Sequence, residues 1–279
     1  MAAAVAQLAL GLLFPGADSV PGVSYVALGD SYTAAPGLLD PVPGSPPLCT
    51  RSAANYPHHL AAATGWELDD VSCASAATAH LRTAQYADQP PQFDALSART
   101  GIVTYQLGGN DGNLFQTMVL SCVALNLGNA ADVGAPCRDA WGSRFTDDIA
   151  AYEPAMGAAI AEVAERAPNA RVHVLGYPAV LPESGRCYPR IPLSTGDLAY
   201  ARGVQRELNA ALRRQAEANG ASYLDIYTPS IGHDACRDPG TRWIEPLVPG
   251  EPNATPVHPN AAGQRATAEI VRAAVTAAA

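Results

Sequence analysis

Four short stretches carry residue types that can act together on an acyl group: "GDSYT" at 29–33, "CASAAT" at 73–78, "GGND" at 108–111 and "PVHPNAAG" at 256–263. They hold a hydroxyl (Ser31), small residues with approachable backbone N–H groups, a side-chain amide (Asn110) and an imidazole (His258). A nucleophile, a base for its proton and donors for a developing oxyanion are what acyl transfer requires. Each stretch also has an ordinary reading. Ser31 after Asp30 can be a helix N-cap, Asn110–Asp111 can be a turn, and His258 can be a polar residue near a helix start. Gly108 and Gly109 allow the backbone to come close just before Asn110, which suits an oxyanion donor.

These stretches act as one site only if the fold gathers them. Short apolar runs predict strands at 23–28, 66–72, 101–107, 171–175 and 221–226. Between them, Ala, Leu, Glu and Arg at helical spacing predict helices near 54–64, 145–167, 197–219 and 259–278. Strand and helix in alternation imply a parallel sheet covered on both faces. Ligands bind such sheets beyond the carboxyl ends of the strands. The first three stretches follow the first three strands and the fourth enters the last helix, so all four fall on that edge.

The chain has 279 residues, 48% of them hydrophobic, enough for a full core without a second domain. A net charge of -9 with no basic stretch argues against nucleic acid as a partner. Cysteines at 49, 73, 122, 137, 187 and 236 form an even set with no CxxC pair, which reads as a disulfide framework rather than a zinc site. Six cysteines allow 15 pairings; neighbour pairing, Cys49–Cys73, Cys122–Cys137 and Cys187–Cys236, is the simplest. An oxidising compartment follows. "AAAVAQLALGLLFPGADS" at the N-terminus has an apolar core of signal-peptide length, no basic residue before it, and too few residues for a membrane span. The expected organisation is a leader at 1–20 and one domain over 21–279. His58, His59, His80, His173 and His233 show no metal-ligand pattern.

"GDSYT", "GGND" and "HPN", in this order and spacing, resemble blocks of the SGNH hydrolases, also called GDSL lipases and esterases. "IGHDAC" at 231–236 and "TRWIEPL" at 241–247 are similar to a secreted actinobacterial branch with three disulfides. The resemblance implies a three-layer α/β/α sandwich with a flavodoxin-like parallel sheet of about five strands. It implies Ser31 as nucleophile, His258 as base, and an oxyanion hole from the backbone N–H of Ser31, that of the second-block residue and the Asn110 amide. Two positions depart from the family pattern. The second-block residue, usually Gly, is Ser75, and the acid usual three residues before the histidine is Thr255. Some members of the branch resemble a dyad, so the Thr255 carbonyl is expected to orient His258. Glu251 and Glu245 lie seven and thirteen residues upstream of His258, without triad spacing. Their exchange for Gln is expected to be nearly silent.

These readings converge on a secreted carboxylic-ester hydrolase needing no cofactor or metal. It would act as a monomer on a small-molecule or lipid ester, with transient contact at a lipid interface. The rivals are a carbohydrate O-deacetylase or acyltransferase on the same site, and a non-catalytic binding protein with this fold.

Overall fold

In the first strand, β1 (Ser24–Gly29), Tyr25 and Ala27 point to one side and Val26 and Leu28 to the other, and all four are buried. A strand apolar on both faces must be covered on both. The computed structural model, which describes residues 22–248 and 255–277, shows that covering. The further strands are β2 (Glu67–Asp70), β3 (Thr100–Gln106), β4 (Arg171–Leu175) and β5 (Ser222–Leu224). They form one parallel sheet in the order β2-β1-β3-β4-β5. This is the predicted three-layer α/β/α, flavodoxin-like arrangement.

The helices are α1 (Ser31–Ala34), α2 (Tyr56–Thr64), α3 (Leu114–Leu125), α4 (Pro136–Trp141), α5 (Arg144–Arg166), α6 (Thr195–Ala218), α7 (Tyr227–Ser230) and α8 (Ala261–Ala277). α2 and α8 cover one face through Leu60, Val271 and Val275 against Tyr25 and Ile102. α3, α5 and α6 cover the other through Met118, Ile160 and Leu208 against Val26, Val103 and Val174. Strand order reverses direction at β1, whose neighbours are β2 and β3, and the crevice at that switch point opens at Asp30 and Ser31.

Several boundaries differ from expectation. The second and fifth strands are shorter than 66–72 and 221–226, because their flanks turn into loops toward the site. The last helix begins at Ala261 rather than 259: the Asn260 side chain accepts from the N–H groups of Ala262 and Gly263, both at 3.0 Å, and caps it. Pro259 therefore precedes the helix. α3 was not predicted. Its sequence, "LFQTMVLSCVAL", is apolar nearly all round and has no polar face to reveal a helical period.

The six cysteines form Cys49–Cys73, Cys122–Cys137 and Cys187–Cys236. The first ties the loop after α1 to the loop after β2, and the second joins α3 to α4. Among the described residues no helix is long and apolar enough to cross a membrane. The expected leader at 1–20 lies outside the described residues.

Candidate active site

Asp30, not Ser31, takes the capping role. Its Oδ1 accepts the Tyr32 N–H at 2.8 Å, so the hydroxyl of Ser31, the first residue of α1, stays available. Ser31 Oγ lies 2.8 Å from His258 Nε2, across 227 residues of sequence. On the far side of the ring, Nδ1 lies 2.8 Å from the Pro256 carbonyl. A carbonyl only accepts, so Nδ1 carries the proton and Nε2 is the acceptor facing Ser31. Removal from water lowers the His258 pKa from its ordinary value, and the Pro256 carbonyl opposes this with a smaller effect.

The orienting carbonyl is thus Pro256's, which corrects the expectation for Thr255. Val257 adopts a left-handed backbone, φ 56°, and this turns the chain so that the carbonyl two residues before the histidine meets the ring. The Thr255 carbonyl instead accepts the His258 backbone N–H at 3.2 Å, and its hydroxyl donates to the Pro36 carbonyl at 2.9 Å. A β-branched residue in that region costs roughly 1–2 kcal/mol. The neighbours hold it there: Val257 N–H donates to the Glu245 carbonyl at 2.9 Å, and the Tyr32 hydroxyl donates to the Val257 carbonyl at 2.7 Å. Tyr32 also packs its ring 4.9 Å from that of His258.

Glu245 pairs with this segment through its backbone, its carbonyl accepting the Val257 N–H and its N–H donating to the His258 carbonyl, both at 2.9 Å. It is buried, 2.7 Å from the Arg242 guanidinium, and accepts from Asn260 Nδ2 at 2.8 Å. Burial of the pair adds an effect on stability to what is expected of Glu245→Gln. Turnover per folded molecule should persist, but neutralising one member of a buried pair should cost about 3 kcal/mol of stability. Denaturant unfolding monitored beside activity checks this; an unchanged midpoint would count against it. Glu251 lies outside the described residues.

Ser75 and Asn110 meet Ser31 around one cavity. Ser75 holds φ 63°, the left-handed conformation that favours the glycine usual at this position, so the exchange is accommodated as backbone strain. Asn110 Nδ2 donates to the Ala76 carbonyl at 3.0 Å, which fixes the amide plane. The neighbouring Asp111 accepts from the Thr78 N–H at 2.7 Å and the Thr78 hydroxyl at 2.6 Å, locking the two loops together. Gly108 has φ 125°, and a Cβ on Gly109 would fall 2.4 Å from the Phe115 ring, so both glycines are required by geometry.

Tyr177, which sequence reasoning missed, completes the frame. Its hydroxyl donates to Asp30 Oδ2 at 2.6 Å and accepts the Gly109 N–H at 2.9 Å, linking the nucleophile loop to the Asn110 loop. Burial pushes the Asp30 carboxyl up to about 7, against the bonds from Tyr177 and Tyr32. The two side chains flanking Ser31 thus reach outward, Asp30 through Tyr177 toward the Asn110 loop and Tyr32 toward His258. Tyr177 follows β4 in "LGYP", so the rule that chemistry collects after each strand could have found it.

The cavity holds about 440 Å³ and runs from Ser31 along α3. Met118, Val119, Leu181, Ile191 and Leu193 make its walls. A hydroxyl, an imidazole and an amide therefore open into an apolar chamber.

A family model described as GDSL-like lipase/acylhydrolase matches residues 27–266. The chain belongs to that family. "Lipase 2" of Streptomyces coelicolor is 46% identical over 275 residues, covering 96% of this chain and 92% of that protein. The solved phospholipase A1 of Streptomyces albidoflavus NA297 has a TM-score of 0.72 at 28% identity, over 91% of this chain and 98% of that one. The extracellular lipase of Streptomyces rimosus has the same TM-score at 27% identity, over 90% and 99%. As a member of the GDSL-like lipase/acylhydrolase family, the protein is a carboxylic-ester hydrolase, which sets aside the non-catalytic rival.

Proposed function

We propose that this protein is a secreted, monomeric lipase-type hydrolase that cleaves fatty-acyl esters through an acyl-enzyme on Ser31. The observation that carries the reading is the 2.8 Å contact between Ser31 Oγ and His258 Nε2 at the head of an apolar chamber of about 440 Å³. Ser31 Oγ attacks the ester carbonyl as His258 Nε2 takes its proton. The N–H groups of Ser31 and Ser75 and the Asn110 amide receive the negative oxygen. The leaving alcohol takes the proton from Nε2, and a water activated by the same nitrogen then releases the acid and restores the serine. The disulfides support secretion, and the extracellular S. rimosus relative points the same way.

Chain-length preference follows from the chamber. A methylene occupies roughly the volume of a water, about 30 Å³, so the space suits an acyl chain well beyond acetyl. Each methylene removed from water is worth about 0.8 kcal/mol. Across p-nitrophenyl esters from acetate to palmitate, kcat/KM should rise roughly 100-fold or more between acetate and octanoate. A maximum at acetate would overturn the fatty-acyl assignment. Undiminished turnover by Ser31→Ala would overturn the nucleophile.

A further inference from the structure

The wall of the chamber is also part of the molecular surface. Leu120 on α3 lines the cavity, yet its side chain is 63% exposed. Just past the end of α3, Leu127 is 77% exposed, and Val133, further along the α3–α4 connection, is 68% exposed. With Leu125, four of the ten large exposed hydrophobics among the described residues fall within 120–133. Two others flank cavity residues from different segments: Leu39 lies three residues after Pro36, and Val248 follows Leu247. Exposed apolar side chains from three parts of the chain thus neighbour cavity residues in sequence, and at Leu120 the surface is continuous with the apolar interior.

The exposure is built into the connection. Asn126 Nδ2 donates to Asp197 at 2.7 Å, and its Oδ1 accepts the Ser194 N–H at 2.9 Å. Asn129 closes the loop by bonding both backbone groups of Val133, at 2.9 and 3.0 Å. Asp132 accepts from the N–H and hydroxyl of Thr195, and Cys122–Cys137 clips the base. The polar groups point back into the protein while Leu127 and Val133 point to water. Residues 114–135 contain one charged side chain, Asp132, and it is committed to Thr195. The whole chain carries a net charge of -9.

We propose that the α3–α4 segment is a preformed docking face for an uncharged or zwitterionic lipid surface, seating the chamber mouth against the lipid so that an acyl chain passes directly from one apolar phase to the other. The proposal rests on the fatty-acyl reading above for its purpose, but binding is separable from turnover. Charge selects the surface: the chain is acidic overall, and the cations bordering this segment are engaged, Arg138 with Asp139 and Arg186 with the Ala130 carbonyl, so anionic headgroups are disfavoured. Apolar patches rimming a site are the usual mark of such contacts.

The test uses the full chain as Ser31→Ala, so that lipid survives, with phosphatidylcholine vesicles and phosphatidylglycerol vesicles in parallel sedimentation assays. Binding to phosphatidylcholine is expected, with weaker binding to phosphatidylglycerol at low salt. Leu127→Asp/Val133→Asp should weaken phosphatidylcholine partition roughly 100-fold. Thr276→Asp, at the end of α8 beside the start of β4 on the opposite edge of the sheet, should change nothing. With Ser31 restored, the double variant should hydrolyse dissolved p-nitrophenyl butyrate normally, which also shows it is folded, while losing most activity on emulsified triglyceride. Equal vesicle binding by parent and double variant would overturn the proposal, as would preference for phosphatidylglycerol. A dimer of the parent that the double variant dissociates would mean the face serves a second copy instead. Absence of hydrolysis on dissolved esters by the parent would refute the fatty-acyl reading while leaving the vesicle result to stand on its own.

Discussion

Ser31→Ala is expected to lower kcat on the order of 10⁶-fold, His258→Ala by a similar amount, and the double variant no further. The reason is geometric. Ser31 Oγ and His258 Nε2 share one hydrogen bond of 2.8 Å, so removing either group removes the same step. Residual turnover should remain above the uncatalysed rate, because Asn110 and the two backbone donors are untouched. The pH dependence of kcat/KM gives the base its signature. Nε2 accepts a proton only when the ring is neutral, so activity falls as pH drops through the His258 pKa. Desolvation lowers that pKa, placing the limb below the ordinary histidine value of about 6.5. Asp30, with its carboxyl near 7, is the second group titrating beside Ser31. Asp30→Asn should therefore keep a limb below 6.5, and its disappearance would transfer the assignment to Asp30. If the single losses instead multiply in the double variant, the two residues do not act as one unit.

How far the site could be read in advance differs from residue to residue. Ser31, Asn110 and His258 could be singled out because their stretches, each ordinary as a cap or turn alone, fall on one sheet edge and together resemble the blocks of one family. The parallel sheet was legible because short apolar runs alternate with helical patterns along the chain, which calls for crossover connections. The carbonyl that orients His258 was not legible. Spacing pointed to Thr255, but the left-handed turn at Val257 is imposed by contacts from Tyr32 and Glu245, residues distant in sequence. The burial of Glu245 was likewise not legible, because it belongs to the tertiary fold. Helix α3 escaped because periodicity detects a contrast between a wet face and a dry one. One side of α3 lines the chamber and Leu120 opens to water, so the contrast is erased, and the residues that hide the helix are those that make it a substrate wall.

Asn110→Ala is expected to lower kcat by roughly 10²- to 10³-fold with KM nearly unchanged. In the proposed mechanism the amide is an oxyanion donor; it is fixed by the Ala76 carbonyl, with Gly109 anchored to Tyr177 behind it. A donor placed for charge that exists only in the transition state contributes little to substrate binding, so its loss appears in kcat. Asn110→Asp should be worse than alanine, since it keeps the shape, removes the donor and adds a negative charge where negative charge develops. Ser75 supplies the contrast. Its contribution is a backbone N–H, which no side-chain change removes, so Ser75→Gly should retain turnover within about twofold and relax the strain at φ 63°. A tenfold or greater loss in Ser75→Gly would assign the serine hydroxyl a part in the reaction. A rise in KM for Asn110→Ala with kcat intact would make Asn110 a substrate-binding group and leave the oxyanion to the two backbone donors alone.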